Sequence, residues 1–336
     1  MTWLKAARIG SFAFIVALFA VVLSFADLDK VRKAFSCIKW TWAVWVPVLN
    51  VANTFVESLR LAVILFPIIK RFPIGNSFNS NLVGIMGNVT LPLRFGDGAR
   101  AYYVAKSEKM SLSSSCSALM LDRIADFLIF FSMIALTAIL HPFPRSVTKM
   151  ALTAGGLFAL AVSAIFALAA IGRRVGRKAG RIRGRIAREV NHFLDGLSAM
   201  RNTGLLPAIL VCSVFSWLLR AAMIWFMFQA FHLELPFMAT PITLILTNFG
   251  IAMVSTPANL GGFELAVVGA LMLFSVETEI AFSYAIALHV IEVAPMLAFC
   301  ALFLWFEGFK MRDIPDTVRK MYSGGAQASL PEDEKE

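Results

Sequence analysis

Helix-breaking and acidic residues interrupt two apolar stretches of this chain in the same order. In each stretch an asparagine is followed by a proline, a glycine and an acidic residue. Backbone groups freed by such breaks at membrane depth are satisfied only where protein or water surrounds them. Paired interruptions in the two halves of a membrane protein are typical of a substrate site. The matching residues are Asn88, Pro92, Gly96 and Asp97 in the first half, and Asn248, Pro257, Gly261 and Glu264 in the second.

Arginines near the first interruption have the chemistry expected for an anionic ligand. Guanidinium groups bind phosphate in a bidentate geometry. Arg94 and Arg100 flank Gly96 and Asp97, where a new helix is expected to begin, so helix N-terminal amides would add to the attraction. We therefore predict that a lipid phosphate contacts these two arginines first. Arg60 and Arg220 complete the predicted phosphate site, and Asp97, Asp126, Glu264 and Glu292 are predicted to position them or to contact a cationic head group.

Charged side chains inside the predicted spans could instead serve as structural ion pairs. Placing a charge at mid-bilayer costs about 2.5–3.5 kcal/mol on insertion scales, so such residues face protein or water. Near-equal numbers of both signs would let pairing cancel most of the charge. The basic set is Arg60, Arg94, Arg100, Arg123 and Arg220, and the acidic set is Glu57, Asp97, Asp122, Asp126, Glu264 and Glu292.

Histidines and cysteines give little support to metal or cofactor chemistry. His289 lies one turn before Glu292 and could relay protons, although a lone histidine in a span is more often a packing residue. The four histidines are scattered, and the four cysteines form no Cys-x-x-Cys pair. We predict no metal, no disulfide framework and no cofactor.

The composition predicts a helical integral membrane protein. Of 336 residues, 59% are hydrophobic and 15% are charged. Several apolar runs reach the roughly 20 residues that a helix needs to cross the bilayer. A net charge of +10 could suggest nucleic acid, but half of the residues from Arg173 to Arg188 are basic, and this segment lies between predicted spans. It fits a cytoplasmic, membrane-facing segment, and no nucleic-acid partner is predicted.

Apolar length and interruption predict an all-α polytopic protein with six full spans and two re-entrant segments. The second segment could alternatively hold two complete crossings. We expect the first span to be retained rather than cleaved as a signal peptide. The predicted spans are 9–26, 41–69, 112–140, 149–171, 205–231 and 279–306, and the re-entrant segments are 76–105 and 236–274.

The basic segment fixes the predicted orientation. With Arg173–Arg188 in the cytoplasm, Lys5, Lys70 and Lys310 also fall inside, so both termini are cytoplasmic and the expected location is a bacterial inner membrane. The basic residues within 30–39 fall outside and run against this orientation. The two re-entrant segments then enter from opposite sides, as in an inverted repeat.

Sequence register supports the repeat. Arg60 and Arg220 are 160 residues apart, and so are Asn88 and Asn248. The predicted organisation is one transmembrane domain over 1–310 and a partly disordered cytoplasmic tail over 311–336. The domain contains repeat one at about 9–140, repeat two at about 149–306 and a basic amphipathic segment at 173–201.

Two motifs resemble the transmembrane, flippase-like family of lysylphosphatidylglycerol synthetases. The first is Asn88-x-x-Leu91-Pro92-x-Arg94-x-Gly96-Asp97-x-x-Arg100, followed by Leu121-x-Arg123-x-x-Asp126; the second runs from Thr256 to Glu264. The resemblance spans roughly residues 9–306. Asp97 stands where the family usually has glutamate, and Ala258-Asn259 replaces more usual glycines.

The resemblance implies a membrane domain that moves a lipid between leaflets. Full-length synthetases add a cytoplasmic aminoacyl-transfer domain, which is not expected here because the chain ends soon after its last predicted span. We predict a non-enzymatic translocase or lipid-handling protein for an anionic or zwitterionic lipid, with lipid-synthesis enzymes as possible partners. The alternatives are a scaffold of a lipid-synthesis complex and a membrane glycosyltransferase using Asp27 or Asp29.

Overall fold

The computed structural model shows a helical chain. It describes residues 36, 38–90, 96–140, 153, 155–156, 160, 204–253, 256 and 259–306. No β-strand occurs among them. The helices are α1 Trp40–Ala43, α2 Trp45–Ile69, α3 Ile74–Thr90, α4 Gly96–Ser107, α5 Leu112–Leu140, α6 Leu206–Ala230, α7 Ala239–Met253, α8 Gly262–Met272 and α9 Thr278–Phe306.

Four helical segments are long and apolar enough to cross a membrane. They are Trp40–Ile69, Leu112–Leu140, Leu206–Ala230 and Thr278–Cys300. These segments coincide with four predicted spans, which confirms an all-α membrane protein over the described residues. The other two predicted spans, 9–26 and 149–171, lie wholly or largely outside the described residues, as do the basic segment 173–201 and the tail 311–336. A count of six spans stays a prediction.

Each interrupted segment contains two short helices packed against each other. We call α3 with α4 the first helical pair, and α7 with α8 the second helical pair. The helices have 17, 12, 15 and 11 residues, fewer than the roughly 20 needed to cross the hydrocarbon core. Glycine and proline in the sequence predicted these interruptions, and the tight packing of the two short helices explains why the glycines are there.

Close backbone approach holds each pair together. A β-carbon at Gly87 would lie 2.6 Å from the α-carbon of Gly96. In the second helical pair, a β-carbon at Gly250 would lie 2.4 Å from both the carbonyl oxygen of Gly262 and the β-carbon of Ala266. Any side chain at Gly87 or Gly250 would therefore force the two helices apart.

The two long helices α2 and α6 pack antiparallel at the centre of the described structure. Trp45, near the start of α2, stacks on Phe226 near the end of α6. Further along α2, Asn53 accepts a 2.7 Å hydrogen bond from Ser216. Successive residues of α2 thus contact earlier residues of α6, as antiparallel helices require.

Further helix contacts join the two halves of the chain. α3 of the first helical pair packs on α9, and α7 of the second helical pair packs on α5. The largest buried apolar cluster of the described residues joins the second half to α5 and includes Phe130, Trp217 and Tyr284. The hydroxyl of Tyr284 donates to the carbonyl of Ile224 at 3.1 Å. Smaller clusters join α2, α4 and α5, and α3 and α9.

One buried carboxylate joins the start of α3 to the end of α4. Glu108, just after α4, accepts hydrogen bonds from Arg71 at 2.7 and 3.2 Å and from Asn76 at 2.6 Å. These bonds connect the end of α2, the start of α3 and the end of α4. The start of α3 and the end of α4 therefore lie at the same end of the structure.

Substituting Gly250 by alanine is expected to destabilise the protein by about 1–3 kcal/mol, because the methyl group overlaps Gly262 and Ala266. The matched control is Gly269→Ala in α8, where nothing lies within 4 Å of an added β-carbon. Since alanine favours a helix over glycine by about 0.5–1 kcal/mol, this control should hold or raise stability. Thermal unfolding in detergent, followed by tryptophan fluorescence, measures both. Equal melting temperatures would contradict the close packing.

Candidate functional site

Arg60 of α2 is buried between two carboxylates of α5. Its side chain is 1% exposed, with Nε 2.7 Å from Asp122 and an Nη atom 2.6 Å from Asp126. The same Nη atom donates to the Ser213 hydroxyl of α6 at 3.0 Å. Arg100 of α4 reaches the second oxygen of Asp122 at 3.0 Å. This arrangement joins four helices through charged hydrogen bonds, and we call these five residues the buried charge cluster.

A more exposed pair lies beside the buried charge cluster. Arg123 of α5 donates to Asp97 in the first turn of α4 at 2.6 Å. Their side chains are 42% and 47% exposed. Arg123 also lies 3.9 Å from Asp126, which connects the pair to the buried residues. Both side chains of this pair are therefore partly accessible, and Asp97 lies at the start of the short helix α4.

A second partly exposed pair links the two central helices. Arg220 of α6 donates a short hydrogen bond to Glu57 of α2, and their side chains are 24% and 20% exposed. Glu57 also accepts from Asn53 at 2.9 Å. The guanidinium of Arg220 lies 5.0 Å from the ring centre of Trp217, a cation–π distance. Arg220 is thus held in place while part of its surface stays accessible.

The second helical pair has its own acidic contact. Gly261, at a φ of 86° that favours glycine, precedes α8, and its N–H donates to one oxygen of Glu264 at 2.7 Å. The other Glu264 oxygen lies 2.6 Å from Nδ1 of His289 in α9. Phe263 packs on the imidazole with ring centres 4.5 Å apart. Both members of the Glu264–His289 contact are buried.

Glu292 lies one turn beyond His289 and is half-buried. Its backbone carbonyl accepts from Asn50 at 3.0 Å. No hydrogen bond to its carboxylate occurs within the described residues, although Arg220 and His289 are close enough to interact with it electrostatically. Glu292 is therefore a carboxylate with unused hydrogen-bonding capacity beside the charged groups.

The structure brings together most of the predicted site residues that it describes. Arg60, Arg100, Arg123, Asp97, Asp126 and Arg220 lie in or beside the buried charge cluster, with Gly96 at the start of α4; Gly261, Glu264 and Glu292 lie around His289. Pro92, Arg94 and Pro257 lie outside the described residues, as do Asp27 and Asp29 of the glycosyltransferase alternative.

The two predicted asparagines play different parts. Asn88 accepts a hydrogen bond from the N–H of Gly96 at 3.0 Å and so helps to begin α4. Asn248 donates back to the carbonyl of Leu244 in its own helix at 2.8 Å. Their equal spacing in the sequence therefore does not give equal contacts.

Several residues absent from the predicted set belong to the site. Glu57, Asp122, Ser213 and His289 had a signal, because each is a polar residue in an apolar segment. Trp217 had none, since one more aromatic residue in an apolar helix is indistinguishable from a packing residue. The described residues contain no group of three or more His, Cys, Asp or Glu side chains placed to hold a metal ion.

An apolar groove of about 600 Å³ lies on the face of α2 opposite to Asn53 and Glu57. It is formed by α2, α3 and α6. Helical spacing puts its α2 residues, such as Phe55 and Leu59, about half a turn from Asn53 and Glu57. The lining residues are Val51, Ala52, Phe55, Val56, Leu59, Phe78, Val211, Cys212 and Phe215.

Comparison with known proteins relates the whole transmembrane region to one family. The family model described as "Lysylphosphatidylglycerol synthase TM region" matches residues 8–300. The UPF0104 membrane protein MJ1078 of Methanocaldococcus jannaschii is 21% identical over 222 residues, which cover 65% of this chain and 92% of that protein. No solved structure matches.

The buried and exposed arginines should differ sharply in their effect on stability. Arg60→Leu leaves Asp122 and Asp126 without their main counter-charge, and we expect a loss of about 3–5 kcal/mol. Arg123→Gln breaks a pair that is nearly half-exposed, and we expect a loss below about 1 kcal/mol. The yield of monodisperse protein and its melting temperature in detergent measure the difference. Similar losses for both variants would contradict this division.

Proposed function

The chain belongs to the lysylphosphatidylglycerol synthase transmembrane-region family, and from this premise we propose that it moves a lipid with an anionic or zwitterionic head group between the two membrane leaflets. The proposed role is transport rather than bond chemistry. The head group would occupy a polar crevice beside the two helical pairs, while the acyl chains stay in apolar surroundings.

The exposed Asp97–Arg123 pair carries this proposal. Arg123 lies about 17 Å along α5 from Leu112 and about 26 Å from Leu140, at 1.5 Å per residue. Charged groups at that depth are too costly to face hydrocarbon, so their exposure favours a crevice that admits water or a polar head group. A crevice of this kind is what a lipid head group needs to pass the hydrophobic core.

The accessible arginines are better placed than the buried ones to bind a phosphate. Arg60 is surrounded by two carboxylates and a hydroxyl, and Arg100 is held by Asp122. Arg123 and Arg220 keep exposed surface and one close carboxylate each. A phosphate could replace that carboxylate as the partner of the guanidinium. In this proposal Arg60 and Arg100 contribute positive field and rigidity rather than direct contact.

Carboxylates around the crevice suit the positive part of a zwitterionic or aminoacylated head group. Asp97 and Glu57 would be released when a phosphate takes over their arginines, and Glu292 has an unused carboxylate nearby. The apolar groove on the other face of α2 has the chemistry that an acyl chain requires. Both kinds of surface that a phospholipid needs are thus present on α2.

We further propose that the two halves form an inverted repeat with re-entrant helical pairs. Three observations support this. α2 and α6 are antiparallel, each helical pair follows one of them, and the first pair begins and ends at a single end of the structure. The exchange of α3 onto α9 and α7 onto α5 has the pattern of two-fold related halves. Rocking of one half against the other would expose the crevice alternately.

The charge at the two ends supports a cytoplasmic opening of the first helical pair. Exposed basic residues Lys70, Lys106 and Lys109 gather where α2 and α4 end, whereas the opposite end exposes Glu234 and Glu277 and one lysine, Lys39. Positive residues favour the cytoplasmic side of inner-membrane proteins. We propose a bacterial inner-membrane location with both termini in the cytoplasm, and supply of the lipid by enzymes of lipid synthesis.

Removing the exposed arginine should slow transport without unfolding the protein. In proteoliposomes, Arg123→Gln is expected to slow leaflet transfer of fluorescent phosphatidylglycerol at least about tenfold, which corresponds to about 1.4 kcal/mol of lost stabilisation. Dithionite quenching of the outer-leaflet dye measures the rate. The matched control is Lys106→Gln, which removes one exposed positive charge at the basic end and should transfer lipid at the wild-type rate. Equal rates for both variants would refute the role of Arg123.

Labelling of single cysteines should show that each helical pair enters and leaves from one side. In a cysteine-free background, Phe72→Cys and Lys109→Cys flank the first helical pair, and Phe237→Cys and Leu273→Cys flank the second. A membrane-impermeant maleimide should reach the first two positions from the cytoplasm and the other two from outside. If the positions flanking one pair were labelled from opposite sides, that segment would be a complete crossing.

A further inference from the structure

The second helical pair is fastened to α9 by a carboxylate–imidazole contact. One Glu264 oxygen holds the N–H of Gly261 at the start of α8, and the other lies 2.6 Å from Nδ1 of His289. The two side chains are 6% and 7% exposed, and Phe263 covers one face of the imidazole. α8 cannot move away from α9 without breaking this contact.

The equivalent contact in the first half has a different chemistry. Arg123 and His289 are 166 residues apart, and each lies on the long helix that follows a helical pair. Each contacts an acid in the first turn of the preceding short helix, Asp97 or Glu264. Arginine stays charged throughout the physiological pH range, whereas histidine gains and loses a proton within it. The first helical pair is therefore held to α5 by a permanent ion pair, and the second helical pair is held to α9 by a titratable pair.

Among the described residues, few other ionisable groups lie near the Glu264–His289 pair. On α9 itself, Glu292 lies one turn away and Tyr284 lies on the preceding turns. Among the helices packed against α8 and α9, α6 contributes Arg220 and α2 contributes Glu57, which are paired with each other. α3 and α7 carry no ionisable side chain. Glu292 is thus a nearby carboxylate that can exchange a proton with His289.

We propose that Glu264 and His289 form a proton-binding site that couples movement of the second helical pair to a proton gradient, a coupling that rests on the lipid transfer proposed above. With one proton bound, the pair is an imidazolium–carboxylate or imidazole–carboxylic acid pair of zero net charge. Without it, the pair carries one negative charge. The neutral form is the cheaper one to move through apolar surroundings, so α8 separates from α9 with the proton bound.

The proton balance of one cycle is simple. A proton from water on one side binds the pair, directly or by way of Glu292, and a proton leaves to water on the other side after α8 has moved. No bond other than O–H and N–H is made or broken. The first helical pair binds no proton in this cycle, because the acid of its contact, Asp97, is paired with the permanently charged guanidinium of Arg123.

Proton binding itself is tested without transport. The chain has four histidines, so ¹⁵N spectra of the histidine-labelled protein in detergent are simple, and the signal lost in His289→Gln identifies His289. We expect that signal to change protonation state between about pH 5 and pH 8, and its midpoint to move in Glu264→Gln, which keeps the shape of the side chain. A His289 signal that is unchanged over this range would overturn the proton site.

Coupling is tested by imposing a pH difference across proteoliposomes that contain fluorescent phosphatidylglycerol. In the wild type we expect the initial transfer rate to change at least threefold with a pH difference, and in Glu264→Gln the ratio should fall to one. The matched variant Glu277→Gln makes the same change at an exposed acid of the second half that lies outside the pair, so its ratio should stay at the wild-type value.

The possible outcomes separate the two proposals. Wild-type transfer that ignores the pH difference overturns the coupling and leaves lipid transfer standing. Absence of transfer under every condition refutes the proposed function and the coupling together, while the histidine spectra still decide whether the pair binds a proton. A lost ratio in Glu277→Gln as well would overturn the assignment of the coupling to Glu264 and His289.

Discussion

The described structure depends on how a charged arginine is accommodated deep in an apolar helical bundle. Arg60 is 1% exposed, and its charge is balanced by Asp122 and Asp126 and by the hydroxyl of Ser213. Separating any of these helices would leave a charge in low-dielectric surroundings without its partner, which costs several kcal/mol. The contact therefore fixes the rotation and register of α2, α5 and α6, and Arg100 adds α4 to the same group. Packing of apolar side chains alone would allow these helices to slide or rotate at less cost.

This constraint also determines which charges remain available to a ligand. A fully paired arginine gains little by exchanging a carboxylate for a phosphate, because the abandoned carboxylate stays buried. At Arg123 and Arg220 the released carboxylates, Asp97 and Glu57, are partly exposed and can be solvated. The sequence analysis placed the phosphate first on Arg94 and Arg100 and then on Arg60 and Arg220, because burial and pairing depend on interhelical contacts that spacing along the chain does not reveal.

Other features were predictable for clear physical reasons. Three spans were located to within about one residue at each end, and the fourth to within one residue at its start, because the length of an apolar helix is dictated by bilayer thickness. The two interruptions followed from glycine and proline in segments that are otherwise apolar. That each interruption holds two packed helices depends on approaches such as Gly87 to Gly96, which involve distant backbone atoms. Asn88 and Asn248 illustrate the limit: they are equivalent in sequence register, but their hydrogen bonds differ because the local ends of α3 and α7 differ.

Under the proposed inverted repeat and lipid transfer, differences of this kind would let the two halves divide the work of transport. If both helical pairs were held by contacts of the same chemistry, nothing would make one pair move before the other. The Asp97–Arg123 pair is nearly half-exposed and contains a permanently charged guanidinium, so it is suited to exchanging partners with the head group in the proposed crevice. The Glu264–His289 pair is buried and titratable, so it is suited to responding to protons rather than to lipid. A change from arginine to histidine at one of two related positions is sufficient to give the halves separate inputs, while the buried charge cluster around Arg60 keeps the central helices in register as either half moves.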